Sequence, residues 1–199
     1  MSKKDHFKDK AREWDRSSRR VQGALKIANA IHDRFVMDKD MQIMDFGTGT
    51  GLLGFEIARF VQKVYGVDTS KEMIEQLKEK NTSELSLETY HRDIIKEPID
   101  KEFDGIVSSM TLHHIKDLEL FFQTIYKNTK KGGFIAIADL EKEDGTFHSN
   151  NDGVHHFGFE EDKLCNIVKF AGFNDVKFEN INTIKKEQEY GIFLLSAIK

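Results

Sequence analysis

Two apolar runs close the chain, at about 176–183 and 191–198, and only a short Lys-Glu-rich link separates them. Parallel neighbours need a crossover of a dozen or more residues, so these two strands must pair as an antiparallel hairpin. Every earlier apolar run is followed by an amphipathic stretch, the pattern of parallel strands joined by helices. The sequence therefore predicts an α/β protein. Its sheet is doubly wound and seven-stranded, mostly parallel with an antiparallel C-terminal hairpin, and has helices on both faces.

Strands are expected at Gln42–Phe46, at Lys63–Val67 ending on Asp68, near Leu87–His91, at Phe103–Ser109 and at Phe134–Ala138. A helix spans Leu52 to Phe60. Thr69 and Glu72 make a capping-box pattern before Met73, Ile74 and Leu77. Leu118, Phe121, Phe122 and Ile125 share a helix face that Gly132-Gly133 is expected to end. A further helix opens on Glu160, Glu161 and Asp162, turns Leu164, Ile167, Val168 and Ala171 inward, and closes at Gly172. Residues 1–40 stand apart as a helical cap, with Val21, Ala24, Leu25, Ala28, Ile31 and Phe35 on one face.

At 199 residues the chain is the size of one domain, read here as 1–40 cap and 41–199 core. No stretch reaches the roughly 20 apolar residues of a membrane span. The opening MSKKDHFKDK lacks the apolar core of a secretory signal. Cys165 is the single cysteine, so a disulfide framework is excluded and the thiol is expected in the core. A net charge of −4 gives no basic field to hold a polyanion. The expectation is a cytoplasmic protein with no membrane or nucleic-acid partner, monomeric or homodimeric.

The densest local signal is Asp45-Phe46-Gly47-Thr48-Gly49-Thr50-Gly51, between a strand and a helix. Glycines there allow a tight turn and close approach of the backbone to a ligand. Three acids flank it: Asp45 before the turn, Asp68 at the next strand end 23 residues on, and Asp93 after the third strand. A carboxylate beside the turn repels a pyrophosphate, and no lysine follows the last glycine as in a P-loop. A ligand with a cationic amino group, a ribose and an adenine suits all three acids, as S-adenosylmethionine does.

From about residue 40 onward the chain resembles the class I S-adenosylmethionine-dependent methyltransferases, which have a Rossmann-like core. The resemblance rests on Asp45–Gly51, Asp68, Asp93-Ile94, the fourth-strand segment Phe103-Asp104-Gly105-Ile106-Val107, and Ala171-Gly172-Phe173 before the hairpin. It implies that Asp45 with the backbone of Gly47, Thr48, Gly49 and Gly51 holds the methionine part. Asp68, with Thr69 beside it, takes the ribose, Asp93 the adenine amino group, and the Ile94 backbone the ring edge. Ser109 and Met110 would line the cofactor near the transferring methyl. Leu112-His113-His114-Ile115 is similar to a segment of small-molecule methyltransferases, including those of quinone biosynthesis. Ser108-Ser109-Met110-Thr111 departs from the Asn/Asp-Pro-Pro-Tyr/Phe motif of amino-methylating nucleic-acid enzymes. Ala11-Arg12-Glu13-Trp14-Asp15 resembles the aromatic-Asp lid segment of relatives, which would bring Trp14 over the cofactor.

Methyl transfer from a sulfonium needs alignment in a dry pocket, and a base only when the nucleophile arrives protonated. Candidates on the acceptor side lie around the 141–158 loop. They are Asp139, His148 and His155 as acceptor contacts or base, with Glu141, Asp144 and His156 nearby. A solvated loop with incidental histidines, or a metal site, competes with that reading, although the spacing matches no closed zinc pattern and no metal is expected. His113 and His114 are adjacent, so at most one is expected to face the crevice. The function expected is methylation of a small molecule. Alternatives are a protein acceptor, a cofactor-binding protein without transfer, and a nucleotide-dependent oxidoreductase.

Overall fold

A computed structural model describes residues 14–199. A short 3-10 turn at 14–16 leads into α1 (Ser18–Arg34), and the core then runs β1 (Gln42–Phe46), α2 (Leu52–Ala58), β2 (Lys63–Asp68), α3 (Lys71–Glu79) and β3 (Glu88–His91). It continues as β4 (Phe103–Ser109), a 3-10 turn (Leu112–His114), α4 (Leu118–Asn128), β5 (Thr129–Leu140), α5 (Glu161–Phe170), β6 (Asn174–Lys185) and β7 (Glu189–Ile198).

The seven strands form one sheet in the order β3-β2-β1-β4-β5-β7-β6. The β1–β2, β2–β3, β1–β4 and β4–β5 pairs are parallel, and β7 runs antiparallel to both β5 and β6. The order reverses between β1 and β4. In open α/β sheets that switch point opens a crevice at the carboxyl ends of the strands.

Alternation along the strands sorts the core into two layers. Ile43, Val64, Val107 and Ala136 meet Ile27 and Ile31 of α1, Leu53 and Ile57 of α2 and Leu77 of α3. Met44, Val67, Ile106 and Ile135 meet Phe121, Phe122 and Ile125 of α4 and Leu164 and Val168 of α5, with Cys165 buried among them. Among the described residues no helix is long and apolar enough to cross a membrane.

Local expectations shift in three places. The cap of α3 is Ser70, whose Oγ accepts from the Met73 N–H at 3.3 Å, one residue beyond the Thr69 start predicted from the capping-box pattern. Helix α4 stops at Asn128 and not at Gly132-Gly133, because Asn128 Nδ2 donates to Ile99 O and Lys101 O, and Thr129 already begins β5. The glycines instead form an irregularity in β5: Gly132 has φ +78°, and the β4 register jumps from Phe103–Thr129 to Gly105–Phe134. On α1 the buried stripe is Ala24, Ile27, Ala28 and Ile31, whereas Val21 and Leu25 are exposed.

Candidate active site

The turn after β1 is built by backbone conformation. Gly47, Gly49 and Gly51 have φ of +67°, +54° and +85°, a region that L side chains rarely adopt. A Cβ on Gly47 would fall 2.2 Å from Thr111, and one on Gly51 would fall 2.9 Å from Phe55. A Cβ on Gly49 would meet nothing within 4 Å, so the middle of the turn presents bare backbone to open space. This is the cradle that close approach of a ligand requires.

Asp45 shares the strand parity of Ile43 and so points beneath α2. It is 1% exposed, and its Oδ2 accepts from Thr48 Oγ1 at 2.6 Å, with a further bond from the Gly54 N–H. Burial, with a smaller push from the Asp68 charge, raises its carboxyl to about 7. The carboxylate thus braces the turn from below. Asp68, half-buried at the end of β2, accepts from the Gly49 N–H (Oδ2, 2.8 Å) and from the Ser70 N–H (Oδ1, 2.8 Å). It therefore lies against the open glycine. Thr69 is exposed, and its carbonyl accepts from His91 Nε2 at 3.0 Å.

Asp93 accepts from the Ile95 N–H at 3.3 Å and pairs with Lys96 at 2.6 Å. The Ile94 side chain is fully buried in the α4/α5 layer, so its offer to a ligand is backbone. Beyond β4, Met110 holds a left-handed φ of +55°, uncommon for a residue with a side chain, and its N–H donates to Ala138 O at 2.8 Å. Thr111 Oγ1 then reaches Ser109 O at 3.1 Å and Gly47 O at 3.3 Å, tying the end of β4 to the glycine turn.

Ala11, Arg12 and Glu13 lie outside the described residues. Trp14 is half-buried under the Arg20 guanidinium, 3.9 Å from the ring centre. Its neighbour Asp15 accepts from Thr50 Oγ1 at 2.6 Å and pairs with Lys80 at 2.6 Å. The aromatic-Asp segment is thus fastened to the glycine turn through Asp15, a residue that sequence reasoning did not single out as a contact.

The residues expected on the acceptor side lie around β5. Asp139 is fully buried, and its Oδ1 lies 2.7 Å from His113 Nδ1. His113 and His148 are brought together with ring centres 4.9 Å apart, and His114 lies beside both. His155 is exposed and joins through its backbone, its N–H donating to His113 O at 2.9 Å. Burial, then the neighbouring histidines, lowers His148 and His114 to about 4, so both rings are neutral at pH 7.

The 141–158 loop is tied down by its own bonds. Glu143 Oε2 accepts from the N–H groups of Gly145 (2.8 Å), Thr146 (2.9 Å) and Phe147 (3.1 Å). Gln188 and Tyr190 on the β6–β7 hairpin bond to Thr146, each at 2.7 Å, and Lys186 donates to Phe147 O while its ammonium lies over the Phe147 ring. His114 Nδ1 donates to Gly153 O and His156 Nε2 to Ile115 O, both at 2.8 Å. These bonds hold the loop against the β6–β7 hairpin and the turn after β4. Among the described residues no three His, Cys, Asp or Glu side chains converge as metal ligands would.

Sequence reasoning singled out Asp139 and His148, and His113 as one of an adjacent pair, but not the bond between His113 and Asp139. His113 lies 26 residues before Asp139, on a different turn. The available signal was the parallel pairing of β4 with β5, which sets the segment after Ser109 beside the end of β5.

Comparison with known proteins places the family of the chain. A profile of the methyltransferase domain family matches residues 37–191. An uncharacterized methyltransferase of Schizosaccharomyces pombe is 31% identical over 163 residues, covering 73% of this chain and 57% of that protein. The ubiquinone biosynthesis O-methyltransferase of Pelagibacter ubique is 32% identical over 107 residues, covering 52% and 44%. The chain therefore spans about half the length of these curated relatives. In fold, Haemonchus contortus phosphoethanolamine N-methyltransferase 2, solved with S-adenosyl-L-methionine, superposes with a TM-score of 0.70 at 20% identity, covering 99% of this chain and 60% of that one. The chain belongs to the methyltransferase domain family, in the class I, S-adenosylmethionine-dependent group.

Proposed function

We propose that the protein transfers a methyl group from S-adenosylmethionine to a small-molecule acceptor in the crevice between the glycine turn and the histidine-lined loop. The observation that carries this reading is the open backbone at Gly49 with Asp68 bonded to its N–H. That arrangement suits a nucleoside with a ribose diol better than it suits a pyrophosphate, which the carboxylates would repel.

In this reading Gly47–Gly51 hold the methionine part, Asp68 the ribose, and Asp93 with the Ile94 backbone the adenine. Bound there, the sulfonium supplies an activated methyl that leaves its electron pair on sulfur. The protein's own work is to exclude water and aim the acceptor. Trp14 and Asp15 cover the turn as a lid; the Asp15 bonds to Thr50 and Lys80 support this. Asp139 and His148 belong to the acceptor wall, and the exposed ring of His155 stands at its rim.

A small-molecule acceptor is favoured over a protein because the loop is bonded to the hairpin and the histidine nitrogens are buried. The name of the Pelagibacter relative points the same way. Calorimetry with S-adenosylhomocysteine and with NAD tests the cofactor: binding of the first and not the second is expected. Label from methyl-tritiated S-adenosylmethionine should enter small molecules of a cell extract. Label entering proteins instead would refute the acceptor class.

A further inference from the structure

His113 is 1% exposed, and its Nδ1 lies 2.7 Å from Asp139 Oδ1. That carboxylate is held from its other sides by the backbone N–H of His113 at 3.2 Å and of Leu140 at 2.7 Å. A carboxylate accepts hydrogen bonds and does not donate them, so the shared proton belongs on Nδ1. In the neutral ring this fixes the tautomer and leaves the lone pair on Nε2.

Nε2 of His113 is enclosed and has no hydrogen-bond partner, and the same holds for Nε2 of His148. Leaving such a group unpaired costs about 1–3 kcal/mol. The other two atoms of this kind among the described residues are Glu143 Oε1, in the same loop, and His32 Nε2, on the remote α1 face against Phe60. Two unpartnered imidazole nitrogens thus lie on rings 4.9 Å apart beside the end of β5, and that of neutral His113 can accept a polar hydrogen from a ligand.

We infer that His113 Nε2 is the general base of the reaction, that Asp139 is its positioning residue, and that the acceptor presents a hydroxyl group to it. The inference rests on the methyl-transfer reading. The hydroxyl oxygen's lone pair forms the bond to the methyl carbon, and the electron pair of the broken carbon–sulfur bond stays on sulfur. The hydroxyl proton passes to Nε2, giving an imidazolium whose charge Asp139 balances. A neutral hydroxyl is a poor nucleophile and needs this help, whereas an amine arriving with a free lone pair does not. His148 flanks the same space and orients the acceptor.

Two measurements test this on the whole chain. Ring-nitrogen NMR of His113 should find the proton on Nδ1 and a bare Nε2, and Asp139→Asn should move the proton to Nε2, since an amide can donate to Nδ1. In parallel, the wild type should transfer tritium from S-adenosylmethionine to oxygen atoms of small molecules in a cell extract. His113→Asn keeps a donor for Asp139 but lacks Nε2; it should lower transfer by ~10²–10⁴-fold. Its affinity for S-adenosylhomocysteine should stay within about twofold, since the two sites share no partner. A proton on Nε2 in the wild type, label on nitrogen or sulfur, or undiminished transfer by His113→Asn would each overturn the inference. No transfer by the wild type at all would instead overturn the methyltransferase reading on which it rests.

Discussion

The two ends of the crevice are built by different means. At the carboxyl ends of β1 and β2 the carboxylates are answered from within the chain: Asp45 by Thr48 and Gly54, Asp68 by Gly49 and Ser70. The cradle is a backbone shape held by three left-handed glycines. At the end of β5 the chemistry is in side chains, and His113 and His148 keep unpartnered nitrogens. In the proposed cofactor site, backbone conformation, which a glycine pattern reveals, works with the Asp68 and Asp93 carboxylates. In the proposed acceptor wall the chemistry sits in side chains from separate segments, which no short motif reveals.

The sharpest break between the ends comes from alanine at two glycines of similar φ. Gly158 has φ +66°, and its Cβ would fall 2.0 Å from Glu141 O, a backbone atom that cannot move alone. Gly158→Ala should lower thermal stability by about 3 kcal/mol or more. Gly49→Ala has open space and should cost only about 1–2 kcal/mol for the left-handed backbone. It should nevertheless weaken S-adenosylhomocysteine binding at least ~10-fold, because the methyl fills the cradle. Equal stability losses, or a Gly49→Ala protein that binds normally, would remove the contrast.

Acid titration separates the ends by sign. His114 and His148 have pKa values of about 4 in the fold, below the ordinary 6.5. Between pH 4 and 6.5 the unfolded chain binds the extra protons, so their contribution is full above 6.5 and is lost as pH falls toward 4. Asp45, raised from 3.8 to about 7, works in reverse, since the native state holds the proton and the contribution falls as pH rises through that window. Denaturant unfolding from pH 4 to 7 should show His148→Asn reducing the acid loss by about 1 kcal/mol, a figure already discounted for solvent access to the ring. Asp45→Asn should steepen the net rise of stability with pH. The same slope in all three proteins would contradict these assignments.

The smallest effect belongs to the lid contact. The Asp15–Lys80 pair is about one-third exposed on both sides. Asp15→Ala should cost about 0.5–1.5 kcal/mol, counting the lost Thr50 hydrogen bond as well as the ion pair, with a correspondingly small rise in the dissociation constant for S-adenosylhomocysteine. An unchanged Tm and affinity would detach the segment from the site.

Much of this was legible in the chain itself. Short apolar runs located β1, β2 and β4, and the missing helix between the last two strands foretold the antiparallel β7. Strand parity placed Asp45 beneath α2, a consequence that its closeness to the glycines obscured. Thr69 gave way to Ser70 as a cap because both are capping residues and only the turn geometry decides between them. Leu25 fits a helical stripe yet is exposed, because the face that α1 buries is that of Ala24, Ile27, Ala28 and Ile31. The His113–Asp139 pair was hidden because strand pairing, not sequence proximity, creates it.

The division of labour is tested most directly by titrating S-adenosylhomocysteine into Asp68→Ala and His113→Asn, each checked for folding by circular dichroism. Asp68→Ala should lose about 1.5–3 kcal/mol of binding, roughly 10- to 150-fold, as a charged hydrogen-bond acceptor is removed. His113→Asn should bind like the wild type. Retained affinity in Asp68→Ala together with lost affinity in His113→Asn would place the nucleoside at the wrong end of the crevice and contradict the account.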